Sequence, residues 1–310
     1  MCSRTAFRRL TLTGLLCVVA LLAATCLSVE PSGAGPSAAA DTLAPPSDEG
    51  TLIGSSAKGG SPALAALEAK MGRTTSAHRV FNPGFRSDVL ADSQVVDDKA
   101  KGRTTVYSVK MPWAEVAAGE RDAAVTQLAQ SLKADGRRFF LTFHHEAEED
   151  GDPAMFRDAF ARFGRTVKAV GASNVSVTHI LMEWTFNRKS GRNPADWMPP
   201  ADSFDVLALD VYIDPQKVDR TFAQATAAGM AEAQRLGKQF AVAEWGVVAK
   251  AGDVNARART VAEGLAHAKA NNFAFVCWFH SSIGVNAPPE GWYLDALNDA
   301  ATVAAYGQGM

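Results

Sequence analysis

From Thr51 onward, short apolar runs alternate with longer stretches in which apolar residues return every three or four positions. The runs are Thr51–Gly54, His78–Phe81, Thr105–Val109, Arg138–Phe143, Val175–Met182, Phe204–Val211, Gln239–Ala243 and Phe273–Trp278. They are apolar nearly throughout, as strands buried on both faces of a parallel sheet should be. Between them the spacing predicts helices over Asp122–Ala134, Pro153–Val170, Val218–Leu236, Ala256–Asn271 and Leu294–Ala305. In the first of these, Val125, Leu128 and Leu132 share a face and Gly136 is a stop signal. Asn255 is placed to cap the fourth. Eight strand–helix units in about 260 residues match an α/β protein of the (β/α)8 or TIM barrel class. A doubly wound open sheet is the alternative, but no glycine-rich phosphate loop follows the first run.

The pattern changes before Thr51. Arg4, Arg8 and Arg9 precede the apolar run Leu10–Val29, so residues 1–29 read as a secretory signal peptide. The run is also long enough for an uncleaved membrane anchor. Lipidation at Cys26 is a weaker reading, because Thr25 stands where a small Gly or Ala is usual. Residues 30–50, rich in Pro, Ser, Ala and Gly, read as a flexible linker, and residues 51–310 as the folded domain. The expectation is a secreted, extracellular monomer that meets a membrane only through its leader.

Composition agrees. Cys2, Cys17 and Cys26 lie in the leader, so no disulfide framework supports the domain, and Cys277 reads as a small buried hydrophobe. With 31 basic and 33 acidic residues there is no electrostatic footprint for nucleic acid.

In such a barrel the chemistry gathers at the C-terminal ends of the strands. Those ends carry Arg79 and Asn82, Lys110 and Trp113, His144, His145 and Glu146, then Glu183, Trp184 and Asn187. Asp210 and Tyr212, Glu244 and Trp245, and Trp278 and His280 follow. All six tryptophans fall at these ends or in the loops beyond, where flat aromatic faces suit sugar rings. Glu146 and Glu244 each directly follow an apolar strand, a costly place for a charge without a use or partner. Two carboxylates across one cleft are what glycosidic hydrolysis needs, one as proton donor and one as nucleophile. Glu183 and Asp210 are also strand-end acids, and salt bridges to Arg79 or Lys110 are the structural alternative.

The segment "YSVKMPWAEVAAGERDAAVTQLAQSLKADGRRFFLTFHHEAE" resembles the central region of glycoside hydrolase family 26, the β-mannanase family of clan A. It shares a serine–lysine strand end, the Gly119…Asp122 helix opening and a strand finishing in His-Glu. "AVAEWG" is similar to the family's nucleophile motif, "LALDVY" to its sixth-strand tyrosine segment and "MEWTFN" to its fifth-strand Trp…Asn segment. The resemblance covers most of Thr51 to His280. It implies a (β/α)8 barrel, a polysaccharide or oligosaccharide substrate and no metal or other cofactor. It also implies Glu146 as acid/base, Glu244 as nucleophile, His145 as a hydrogen-bonding group in the cleaved sugar's subsite and Tyr212 as the residue that tunes Glu244. Trp278 becomes the sugar platform, and Lys110, Trp184, Asn187 and Trp245 further substrate contacts. The sequence departs from the family at Ala147 and Glu148, where Met-Asn is usual, and at Leu141-Thr142, where an arginine is often found. These departures leave the sugar open. Glu148, Glu149 and Asp150 are expected in a solvated loop.

Two other readings compete. One is a metal-dependent hydrolase using His144, His145 and His280. It is opposed by strand alternation, which turns adjacent histidines to opposite faces, and by the absence of metal-ligand spacing. The other is a catalytically silent carbohydrate-binding barrel, since fold resemblance alone does not establish activity.

Overall fold

The computed structural model describes residues 50–249, 253, 255–282 and 288–310. The leader and nearly all of the linker lie outside the described residues. Among those described, no helix is long and apolar enough to cross a membrane.

Eight parallel strands close into a barrel in sequence order. They are β1 (Leu52–Ala57), β2 (Ala77–Phe81), β3 (Thr104–Val109), β4 (Phe139–Phe143), β5 (Val175–Met182), β6 (Val206–Ile213), β7 (Gln239–Val247) and β8 (Phe275–His280). Each overlaps one predicted run. The helices are α1 (Ser61–Met71), α2 (Ser93–Lys101), α3 (Trp113–Ala118), α4 (Asp122–Asp135), α5 (Pro153–Ala169), α6 (Pro194–Trp197), α7 (Phe222–Arg235), α8 (Ala256–Ala270) and α9 (Ala300–Gly309).

The strands are apolar because two layers bury them. Inside the barrel, Leu52, Ala77, Val106, Phe140, Ile180 and Ala208 belong to one small core that includes Cys277. Outside it, the alternate residues join a larger core with the helices, among them Leu67, Leu128, Phe160, Leu209, Trp245 and Trp278. Gly54 lets β1 approach β2 closely, since a Cβ there would sit 2.4 Å from the Ala77 carbonyl oxygen. Cys277 is wholly buried, and burial pushes its thiol up to about 12, so it is an inert packing residue.

Three helical expectations need correction. The helix expected from Val218 starts at Phe222, where Thr221 and Gln224 form a reciprocal capping box. The helix expected from Leu294 starts at Ala300, after left-handed Leu297 and Asn298, with Asp299 accepting from the Thr302 N–H. Asn255 precedes α8, but its side chain makes no capping bond.

Candidate active site

A β-bulge aims the chemistry. The β6–β7 register runs Leu209↔Val242 and then Asp210↔Glu244, so Ala243 is the extra residue on β7. Val242 packs outside the barrel and Ala243 inside. Strict alternation would therefore turn Glu244 outward. The inserted residue resets the alternation, and Glu244 faces the interior beside Asp210 while Trp245 packs outward.

Glu146 arrives by a different device. After β4 the chain bends sharply, with His144 and Glu146 both at φ 51°. Such left-handed backbone is uncommon outside glycine and concentrates at functional sites. It brings the Glu146 carboxyl over the barrel mouth, where oxygens of Glu146, Asp210 and Glu244 all lie within 4.8 Å of one another. Glu183 stays apart, in a two-bond ion pair with Arg220 at 2.7 and 2.6 Å. Of the four strand-end acids, three converge and one is spent on structure.

Their environments differ. Burial, then the charges of Glu244 and Glu148, push Glu146 up to about 8. Burial also raises Glu244, but the Arg79 guanidinium and a 2.5 Å hydrogen bond from the Tyr212 hydroxyl favour its anion. The surroundings thus favour charge on Glu244 and a proton on Glu146. Tyr212 holds its own proton, because burial and the neighbouring carboxylates raise it well above its ordinary value. The bond needs room. A Cβ on Gly246 would lie 2.5 Å from the Trp292 ring and 2.9 Å from the Tyr212 ring, so only glycine lets those rings pack together.

The other predicted residues divide. His145 lies tilted against Phe81 at 5.3 Å, with its Nδ1 buried and unbonded. Burial, with Arg79, Lys110 and His144 nearby, holds it neutral. Lys110 donates to Asp150 at 3.1 Å. Asn187 accepts from the Lys189 N–H and so closes its own turn. Trp184 is 46% exposed in the loop after β5.

The remaining tryptophans correct the sequence reading. Trp113, Trp197, Trp245, Trp278 and Trp292 are buried. Trp278 donates its indole N–H to the Trp292 carbonyl and packs on Trp245 and Tyr306 in the helical layer. It cannot serve as a sugar platform, and Trp245 cannot touch substrate either. The inward neighbour on β8 is Phe279, partly exposed and packed edge-on against Phe81 and Tyr212. Glu148 is a second correction. It is buried and accepts from the Met182 N–H and the Thr185 hydroxyl at 2.8 Å each, tying the β4 loop to the end of β5.

The histidines do not assemble a metal centre. Trp113 donates to His144 Nδ1, because an indole N–H can only donate, so His144 is neutral and gives its Nε2 proton to Asp150. His280 Nδ1 accepts from the Leu294 N–H. Among the described residues, only Glu146, Asp210 and Glu244 could converge on an ion. That all-oxygen set would suit a hard cation. Arg79 already supplies positive charge to all three acids and opposes a second cation.

No protein-family model and no curated protein matches the chain. Solved structures do. An endo-β-1,4-mannanase double mutant from Cellulomonas fimi superposes with a TM-score of 0.55 at 18% identity, over 83% of this chain and 70% of that one. The glycoside hydrolase family 26 domain of an endo-β-mannanase/endo-β-glucanase from Prevotella bryantii gives 0.55 at 13% identity, over 83% and 89%. A family 26 β-mannanase from Bacteroides ovatus gives 0.54 at 12% identity, over 83% and 87%. The fold is therefore that of the family 26 β-mannanase structures, a (β/α)8 barrel.

Proposed function

We propose that the chain is a retaining glycoside hydrolase acting on a β-linked polysaccharide, of mannan or a related β-glycan type. Glu146 protonates the glycosidic oxygen as the bond breaks. Glu244 attacks the anomeric carbon and forms a covalent glycosyl-enzyme. The Glu146 carboxylate then takes a proton from water, which releases the sugar with its original anomeric configuration. Tyr212 holds the attacking carboxylate in place. His145 stands beside the reacting sugar as a neutral hydrogen-bonding group. Lys110 and Asn187 would contact further sugar units, and Trp184 and Phe279 would offer them aromatic faces. The leader would export the domain, consistent with a substrate too large to enter a cell.

One observation carries this reading. Two strand-end glutamates converge within 4.8 Å of each other and of Asp210, in surroundings that keep a proton on one and favour charge on the other. An oxygen of each within 4.8 Å of the other supports a retaining pair, whose carboxyl groups lie about 5–5.5 Å apart, over an inverting pair at roughly 6.5–9.5 Å.

The test is a screen of residues 50–310 against β-mannan, xylan, mixed-linkage glucan and bacterial exopolysaccharides, with the first product's anomeric configuration read by NMR. A β-configured first product is expected. An α-configured one would overturn the assignment of roles. Oligosaccharide binding with no turnover of any glycan would favour the catalytically silent barrel.

A further inference from the structure

The third acid of the cluster has no place in the two-carboxylate mechanism. Asp210 is 3% exposed, and no hydrogen bond reaches either of its carboxyl oxygens. One of its oxygens lies within 4.8 Å of an oxygen of Glu146 and of an oxygen of Glu244. A buried carboxylate without donors is among the most expensive groups a protein can hold. Two further carboxyls beside it add repulsion. One arrangement removes both costs: a proton on Asp210 turns an acceptor facing acceptors into a donor facing an acceptor.

The partner follows from the register. Asp210 lies directly across from Glu244 on the neighbouring strand. Tyr212, two residues further along β6, already donates to Glu244 Oε2. We infer that Asp210 is a protonated acid that donates a second hydrogen bond to the Glu244 carboxylate, and is thereby a positioning residue for the nucleophile. The same stretch of β6 would then present two donors to one anion, fixing the direction of its attack. This deepens the glycosidase reading and rests on it for the word nucleophile, but the protonation state itself does not.

The groups around Asp210 also favour its protonated form. Burial raises it first, then the charges of Glu244 and Glu146, with a smaller push from Glu148; Arg79 alone pulls the other way. Tyr212 and Cys277 also feel its charge, and both keep their protons. All three carboxyls are raised, Asp210 well above its ordinary value, while Arg79 and the Tyr212 hydroxyl favour the Glu244 anion. A proton on Asp210 is what burial and two neighbouring carboxyls favour.

Infrared difference spectroscopy tests this without a substrate. Spectra at pH 7 are taken of Glu146→Gln and of the double variant Glu146→Gln/Asp210→Asn, so the Glu146 proton contributes to neither. The difference should show the loss of one protonated-carboxyl C=O stretch. Loss of an ionised-carboxylate stretch instead would overturn the inference. A kinetic arm applies on any glycan the native protein cleaves. Asp210→Asn, whose amide can still donate, should hold kcat within about three-fold, whereas Asp210→Leu should lower kcat by about ten-fold or more with little change in KM. Asn as damaging as Leu would also overturn it. If no glycan is cleaved, the proposed function fails while the spectrum still decides the state of Asp210.

Discussion

Two clusters of buried ionisable groups sit on opposite faces of the same strand. On the outer face of β2, His78 Nδ1 lies 2.8 Å from Asp98, which also accepts from Thr105 at 2.8 Å and from Arg103 at 3.3 Å. Arg103 grips Glu68 through two bonds at 3.0 and 2.6 Å and Asp97 through one at 2.7 Å, and Thr75 donates twice more to Glu68. On the inner face, one residue along, Arg79 points toward three carboxyls, yet its Nε and Nη2 find no partner. Burial opposes charge in both places. Outside, the donors of Arg103 and Thr75 outweigh it and hold Glu68 below its ordinary value. Inside, nothing outweighs it, and Glu146, Asp210 and Glu244 are all raised. The carboxylates of the outer network have their donors and hold helices to the barrel, while those of the inner one lack donors enough and are pushed toward their protonated forms.

The contrast can be broken most sharply at Glu244. Glu244→Gln should cut turnover by on the order of 10⁴-fold, as removal of a nucleophile does. The melting temperature should hold or rise, because a buried charge is replaced by a neutral amide. A variant with normal turnover would remove Glu244 from the chemistry. A collapsed melting temperature would show that the inner cluster is structural after all.

The opposite result is expected at Arg103. Arg103→Ala strands Glu68 and Asp98 without their cation and should cost about 3–5 kcal/mol in denaturant unfolding. Turnover per folded molecule, measured well below the new midpoint, should be unchanged.

pH sharpens the comparison further. Glu146 must be protonated to act, so kcat/KM should fall as pH rises through about 8. The sign for stability is the same. The folded protein keeps a proton that the unfolded chain releases near the ordinary value of 4.5, so stability should decline between there and about 8. Glu146→Gln should flatten that decline and raise the melting temperature at pH 9. An identical slope in both proteins would mean that the carboxyl is not held protonated.

The smallest effects lie at the aromatic rim. Trp184→Ala should raise KM about 2–10-fold, in keeping with the loss of one stacking face worth about 0.5–1.5 kcal/mol. Phe279→Ala should weaken binding as well. Trp278→Phe should leave KM alone and lower stability, since that ring faces the helices.

The eight strands were legible because each is a nearly unbroken apolar run, and Glu146 and Glu244 stood out because acids at the ends of such runs are costly. That same uniformity hid the facing. In a strand apolar on both sides, nothing distinguishes inward from outward, so the run alone does not separate Trp278, which packs against the helices, from Phe279, which faces the barrel interior. The bulge at Ala243 left no mark either, because a small apolar residue continues the run whether or not it is paired. Helix α1, "SPALAALEAKM", was missed because alanine on every side blurs its apolar face. Glu148 looked like one acid in a solvated series, and the partners that bury it come from 34 and 37 residues away. Asp97, Asp98 and Arg103 carry no burial signal of their own in the sequence, because their partners Glu68 and His78 come from other elements.

The most direct test of the central claim is azide rescue of the two glutamate variants on the aryl glycoside of a sugar the native protein cleaves. Glu146→Ala should still form the glycosyl-enzyme with an activated leaving group, and azide should then give the β-glycosyl azide. Glu244→Ala should be inactive alone, and azide entering its vacated place should give the α-glycosyl azide. An α-azide from Glu146→Ala, or native turnover by Glu244→Ala, would contradict the assignment of acid and nucleophile.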